Sequence, residues 1–298
     1  MMDLQCVSPA GDWCGEAATW SAAEDAVYWV DINRFLIHRF EIATGATLSW
    51  QFKEPVVALS LTRRDDTLLV ATGSGLLLWR PSDDTRTPFG WALDGWPEVR
   101  LNDGRAAPNG DFWVGSMKNN VQADGELGEV GPGQGILFRI TPSGESSIWR
   151  EGIGVSNTLC WSPDGARFYF GDTLENEVRV YDVDSASGDI SGERPFFAGF
   201  DRGLPDGSTI DEEGYLWNCR YAGGCVVRVA PDGTVDRVID LPVTNVTTCT
   251  FGGPDRETLF ITTAALGRAP GDRLAGGLFA IKPGVAGLPE NRFGWSGH

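Results

Sequence analysis

Apolar residues in this chain come in short bursts rather than in the long 3.6-residue stripes of amphipathic helices. VYWVDI (27–32), LLVATG (68–73), FWVGSM (112–117), FYFGDT (168–173), LWNCRY (216–221) and LFITTA (259–264) mix β-branched and aromatic residues between turn signals, which is the composition of buried strands. Ahead of them stand SAAEDA (21–26), TRRDDT (62–67), APNGD (107–111), SPDGAR (162–167), DEEGY (211–215) and GPDRET (253–258), each an acidic or glycine-containing hairpin turn. From Tyr28 to Leu68, Phe112, Phe168, Leu216 and Leu259 the spacing is roughly 40 to 55 residues, the length of one four-stranded propeller blade. Six copies predict an all-β, six-bladed β-propeller. A blade cannot bury both its faces alone, so its neighbours must cover it and the last must meet the first. Residues 1–298 are therefore expected to form a single domain. A stacked β-sandwich is the alternative, and the regular period favours the closed ring.

The widest gap between copies contains NNVQADGELGEVGPGQG (119–135), which is polar, acidic and rich in glycine. It reads as a loop inserted within a blade, either a passive surface loop or a lid over a pocket.

The period also aligns positions that carry chemistry. Six residues before the shared turn position of each copy lie Glu16, Val56, Asn102, Asn157, Asp206 and Thr248. If this segment is the innermost strand of each blade, side chains at that phase converge on the central channel. Glu16, Asn102, Asn157 and Asp206 offer hard oxygen atoms, and two neighbouring carboxylates repel unless a proton or a cation intervenes. Such oxygens suit calcium, magnesium or manganese, and also zinc or iron(II) where carboxylates take part. A structural ion or a water-filled hydrogen-bonded channel would use the same residues. Arg100 lies two residues before Asn102 and so falls on the same strand face, where its donors could hold an anionic or hydroxyl-rich ligand. Asp103, in Asn-Asp-Gly, reads as a turn residue bonded to backbone. Cys249, next to Thr248, should face away into the blade packing.

Composition narrows the partners. The net charge of −17 and pI near 4.5 repel nucleic acid and anionic membranes, and lysine and arginine are scattered rather than clustered. MMDLQCVSPAGDW shows no secretory signal pattern, and apolar runs such as LLLW (76–79) are too short to cross a bilayer. The six cysteines form no Cys-x-x-Cys pair, so they read as small reduced core residues of a cytoplasmic protein. A monomer is expected. With no Gly-x-Ser-x-Gly elbow and histidine only at His38 and His298, a Ser-His-Asp triad is not expected.

GEAATW (15–20), RLNDGR (100–105), FWVGSM (112–117), VSNTLCWSPDG (155–165), LPDGSTIDEEGYLW (204–217), TTCTFGGPD (247–255) and AGGLFAI (275–281), taken in order, resemble the senescence marker protein/gluconolactonase/luciferin-regenerating enzyme family, the regucalcin-like proteins. The resemblance implies a six-bladed propeller with one divalent metal in its channel and hydrolysis of sugar lactones to aldonic acids. It places the metal ligands on Glu16, Asn157 and Asp206, and substrate contacts on Arg100 and Asn102. A further acidic substrate contact of the family falls on Asn120, a departure that removes a charge. The first motif departs too, since many members have a Pro-containing turn where this chain has GEAATW; the Glu and Trp remain.

On this basis a lactone is expected to bind with its carbonyl toward the metal, which polarises it. Asp206 is the expected general base for the attacking water, and Arg100, Asn102 and Asn120 are expected to hold the sugar hydroxyls. Gluconolactone, xylonolactone, arabinonolactone and galactonolactone are all candidates. The alternatives are an esterase or phosphotriesterase of the paraoxonase-like propeller type and a non-catalytic calcium-binding propeller.

Overall fold

The computed structural model describes residues 4–297. Each apolar burst forms the second strand of a blade: Ala26–Asp31, Leu68–Thr72, Phe112–Lys118, Arg167–Asp172, Leu216–Tyr221 and Thr258–Thr263. Before each, across the predicted turn, runs an antiparallel first strand: Gly15–Ser21, Val56–Thr62, Val99–Ala106, Ser156–Trp161, Leu204–Ile210 and Val246–Gly252. These first strands touch their neighbours all the way around, the sixth returning to the first. They are the inner wall of a six-bladed β-propeller.

Burial follows from position in the ring. Ala26–Asp31 and Val56–Thr62 are buried at every residue because each blade is covered on both faces by its neighbours, whereas the outer strand Thr47–Gln51 is largely exposed. Trp29, Trp113 and Trp217 occupy matching places in second strands and are fully buried. Burying such a ring stabilises the fold by about 2–3 kcal/mol. Two of these indole N–H groups find carboxylates: Trp29 donates to Asp12 Oδ2 at 2.6 Å and Trp217 to Asp211 Oδ2 at 2.9 Å, as buried indoles favour.

The ring closes with chain from its other end. The sixth blade draws only three strands from the last copy, ending with Leu278–Ile281, and its fourth is Gln5–Ser8. The C-terminal segment then straps across the far end of the channel. Gly287 bridges Asp211 of the fifth blade, and Glu290 accepts from Thr250 of the sixth at 2.6 Å. Arg292–Phe293 pairs in parallel with Val56–Thr62 of the second. Asp103 is corrected here: it lies inside the first strand Val99–Ala106 of the third blade, at a bulge and not in a turn.

The glycine-rich stretch leaves the third blade after Lys118 and rejoins it at Gly135. It folds back toward the first blade, where Asn33 Nδ2 donates to the Gly125 carbonyl at 2.6 Å. Gly125 sits there at φ 87° with the Asn33 carbonyl only 2.1 Å from where a Cβ would stand, so a side chain has no room.

Candidate active site in the channel

All six first strands carry an irregularity at the same height. The register slips by one residue after Glu16, after Val56, between Leu101 and Gly104, after Asn157, between Pro205 and Ser208, and between Val246 and Cys249. A bulge re-aims the side chains at its site. The phase-matched residues therefore sit where the strand is bent, at the channel end where the first strands begin. Two bulges are held in a costly conformation: Ala17 and Thr158, the residues after Glu16 and Asn157, both have φ 55°, which disfavours L-residues by about 1–2 kcal/mol.

Glu16, Asn157, Asp206, Arg100, Asn102 and Asn120 all line one cavity of about 260 Å³. Val56 and Thr248 do not, so the polar arc is built by the first, third, fourth and fifth blades. Leu127, Gly128 and Val130 of the 119–135 stretch form part of its wall. A second hollow of about 320 Å³ lies at the strap end, beside Arg105, Cys160 and Glu290; it lacks the paired carboxylates.

Hydrogen bonds orient the arc. Asn157 donates Nδ2 to Thr173 Oγ1 at 2.8 Å, and Thr173 donates on to the Pro205 carbonyl at 2.8 Å. With Nδ2 turned to Thr173, Asn157 keeps its Oδ1 as a free acceptor group for the cavity it lines. Asn102 donates to the Ser156 carbonyl at 2.8 Å. The Arg100 guanidinium donates from Nη1 to Asn102 Oδ1 at 2.7 Å and to the Leu101 carbonyl at 2.9 Å. Its Nε and Nη2 both donate to Asn120 Oδ1, at 3.1 and 2.8 Å.

Electrostatics mark the same place. Glu16 and Asp206 line the same cavity, and each perturbs the other's titration. Burial, with the fields of Asp206 and Asp103 added, pushes Glu16 well above the usual carboxylate range. Burial and the Asp103 charge push Asp206 up to about 8. Burial lowers the Arg100 guanidinium to about 10 against the fields of Cys14 and Glu16. Two carboxylates forced together away from water favour a proton or a cation between them. Among the described residues no three His, Cys, Asp or Glu side chains gather as a metal site. The donor set is instead two carboxylates and the Asn157 amide oxygen, a hard-oxygen set that fits a divalent cation.

The sequence pattern did not reveal what aims these candidate ligands. Asp31 ends the second strand of the first blade and accepts from the backbone N–H groups of Trp13 (2.8 Å), Cys14 (3.1 Å) and Asn33 (3.2 Å). Asp172 does the same in the fourth blade for Gly154 (2.8 Å), Val155 (3.1 Å) and Leu174 (3.1 Å), capping the short 3-10 turn Thr173–Glu175. Each clamps the loop that enters a strand bearing a candidate ligand, and each pairs with the residue just before Asn157 or Glu16. The signal was the aspartate shared by VYWVD and FYFGD. Cys14, Asn33, Thr173 and Tyr221 also line the cavity and were missed, because none lies at the ring phase. Cys249 is buried among Trp217, Cys219 and Ile261, as its phase implied. His38 lies in the third strand of the first blade, bonded to Ser49 at 2.7 Å; His298 lies outside the described residues.

The family model described as the SMP-30/Gluconolactonase/LRE-like region matches residues 14–265. A pentonolactonase of Haloferax volcanii is 33% identical, over 93% of this chain and 94% of its own. A 6-deoxy-6-sulfogluconolactonase of Pseudomonas putida is 31% identical, over 97% of this chain and 98% of its own. Among solved structures, a calcium-binding protein, regucalcin, from Agrobacterium tumefaciens aligns with a TM-score of 0.89 at 26% identity, covering 98% of this chain and 97% of its own.

Proposed function

The chain belongs to the SMP-30/gluconolactonase/LRE-like family, and we propose that it is a metal-dependent hydrolase that opens a sugar lactone to its aldonic acid. The observation that carries this reading is the cavity in which Glu16, Asn157 and Asp206 meet Arg100, Asn102 and Asn120. Hydrolases of sugar lactones among its relatives favour it over an aryl esterase or a non-catalytic calcium-binding propeller.

Glu16, Asn157 and Asp206 would hold the divalent cation. When bound, it supplies Lewis acidity to the lactone carbonyl and stabilises negative charge on that oxygen. Asp206 accepts a proton from the water that attacks the carbonyl carbon. As the ring C–O bond breaks, Asp206 returns that proton to the departing ring oxygen. Atoms balance with one water consumed, leaving a carboxylic acid and a free hydroxyl. Arg100, Asn102 and Asn120 hold the remote part of the sugar and so fix the carbonyl against the water. Leu127 and Val130 wall the cavity with apolar surface, which lowers the local dielectric and strengthens each polar contact.

The test is a pH-indicator screen of several lactones on metal-stripped protein refilled with single ions. Cation-dependent acidification is expected with at least one lactone. No acidification with any lactone and any ion overturns the reading.

A further inference from the structure

Arg100 is a buried cation facing the cavity with no anion to answer it. Its residue exposure is 4%, and its acceptors are two carboxamide oxygens and one backbone carbonyl, all neutral. Among the described residues it forms no ion pair within 4.0 Å, although Glu16 is close enough for its field to be felt. Arg228, equally buried at 4%, is surrounded by Asp211, Glu213 and Asp236 at 2.7, 2.6 and 3.0 Å. Arg220 also lacks a carboxylate, but backbone carbonyls of Arg202, Phe200 and Gly203 enclose it, and it does not line the cavity.

The cavity's charges can be counted. Its lining contains Glu16, Asp206 and Arg100 as charged side chains, besides Cys14 and Tyr221. Glu16 and Asp206 are the proposed cation ligands, and a divalent cation offsets both. Neither is ion-paired with Arg100, whose guanidinium has only neutral acceptors. Asn120, which holds two guanidinium nitrogens through one oxygen, is where a carboxylate would have cancelled it. A guanidinium in an apolar-walled pocket binds an anion far more strongly than a hydroxyl.

Resting on the lactonase reading, we infer that the preferred substrate is an anionic sugar lactone, carrying a carboxylate or sulfonate remote from the reacting carbonyl, and that Asn120 sets this preference by leaving Arg100 unneutralised. The terminal anion displaces the carboxamide contacts and takes the guanidinium fork. A neutral aldonolactone leaves that charge unanswered.

Two measurements test this. The first compares kcat/KM for the lactones of glucaric and gluconic acid, which differ in the terminal carboxylate. A preference of about tenfold or more for the glucaric lactone is expected; equal rates, or faster gluconic turnover, overturn the inference while leaving the lactonase reading standing. The second measures binding by calorimetry with D-glucuronate and D-glucose, which keep that difference but cannot be hydrolysed. Glucuronate should bind about tenfold more tightly. Asn120→Glu, which supplies an internal carboxylate, should collapse the ratio toward one, and so should Arg100→Gln. Undetectable glucuronate binding, or a ratio unchanged in both folded variants, overturns the inference. Failure of the lactonase reading shows separately, as no turnover of either lactone beside an intact binding preference.

Discussion

Thr158 Oγ1 donates to the backbone carbonyl of Asp206 at 2.6 Å. That bond ties the bulge carrying Asn157 in the fourth blade to the bulge carrying Asp206 in the fifth. Ser208 Oγ lies 2.9 Å from the same hydroxyl, and the fully buried Asn218 donates to Ser208 Oγ at 2.9 Å. Two proposed ligands, remote in sequence, are therefore buckled together behind the cavity.

Thr158→Val removes the buckle while keeping shape and backbone restriction. It takes the shorter of two donors from the buried Asp206 carbonyl, which keeps Asn218 Nδ2 at 3.3 Å, at a cost of about 1 kcal/mol. We expect kcat to fall about tenfold with KM nearly unchanged, and Thr158→Ser to restore most of the loss. A lower Tm with an unaltered kcat would make Thr158 structural only.

Asp206→Ala should abolish nearly all turnover, by a factor of about 10² to 10⁴ for the lost proton transfer alone, and weaken cation binding as well. Arg100→Ala should act mainly on KM. Steady-state kinetics on the two variants separate the roles. Wild-type rates in the Asp206 variant refute its assignment.

The metal-free protein should lose stability as pH rises. In the unfolded chain Glu16 and Asp206 titrate at about 4; in the folded one burial raises both, Asp206 to about 8. Between those limits the folded state holds more protons, so stability is full below the lower one and is lost through the upper. Calcium should accordingly raise Tm more at about pH 8 than at about pH 5. Melts of the wild type and Glu16→Gln across this range check it; identical pH slopes without metal would count against the raised carboxylates.

Asp172→Ala strips the acceptor from three backbone N–H groups, those of Gly154, Val155 and Leu174. A destabilisation of about 2–4 kcal/mol is expected from a buried, charged acceptor serving several donors. Cation affinity should drop in parallel, because the loop entering the Asn157 strand is no longer held. Denaturant melts and calcium titration read the two effects separately.

The blades and the convergent phase were legible because both rest on local regularities. Strand bursts such as FWVGSM and turns such as SPDGAR repeat with the blade, so counting back along any copy reaches the same height in the ring. Asp31 and Asp172 were not singled out, because a strand-terminal aspartate looks like turn chemistry until its backbone partners are known. Asp103 was misread for the same reason: Asn-Asp-Gly spells a turn, and only pairing with the second strand turns it into a bulge. Gln5–Ser8 carries no periodic signal of its own. Its place depends on a vacancy left some 270 residues later, which no local pattern encodes. Asn33 reaches the site through its contact with Gly125, a meeting that tertiary packing alone creates.

Among the described strands Gln5–Ser8 comes earliest in the sequence, yet its partner Leu278–Ile281 comes near the end. That pairing adds to a direct contact between the first and sixth blades, where Thr247 Oγ1 donates to the Gly15 carbonyl beside Glu16. The cavity draws its polar residues from the first, third, fourth and fifth blades, so it is complete only when the circle is joined. Partially synthesised chains, however well their early blades have folded, would carry no half-working version of it.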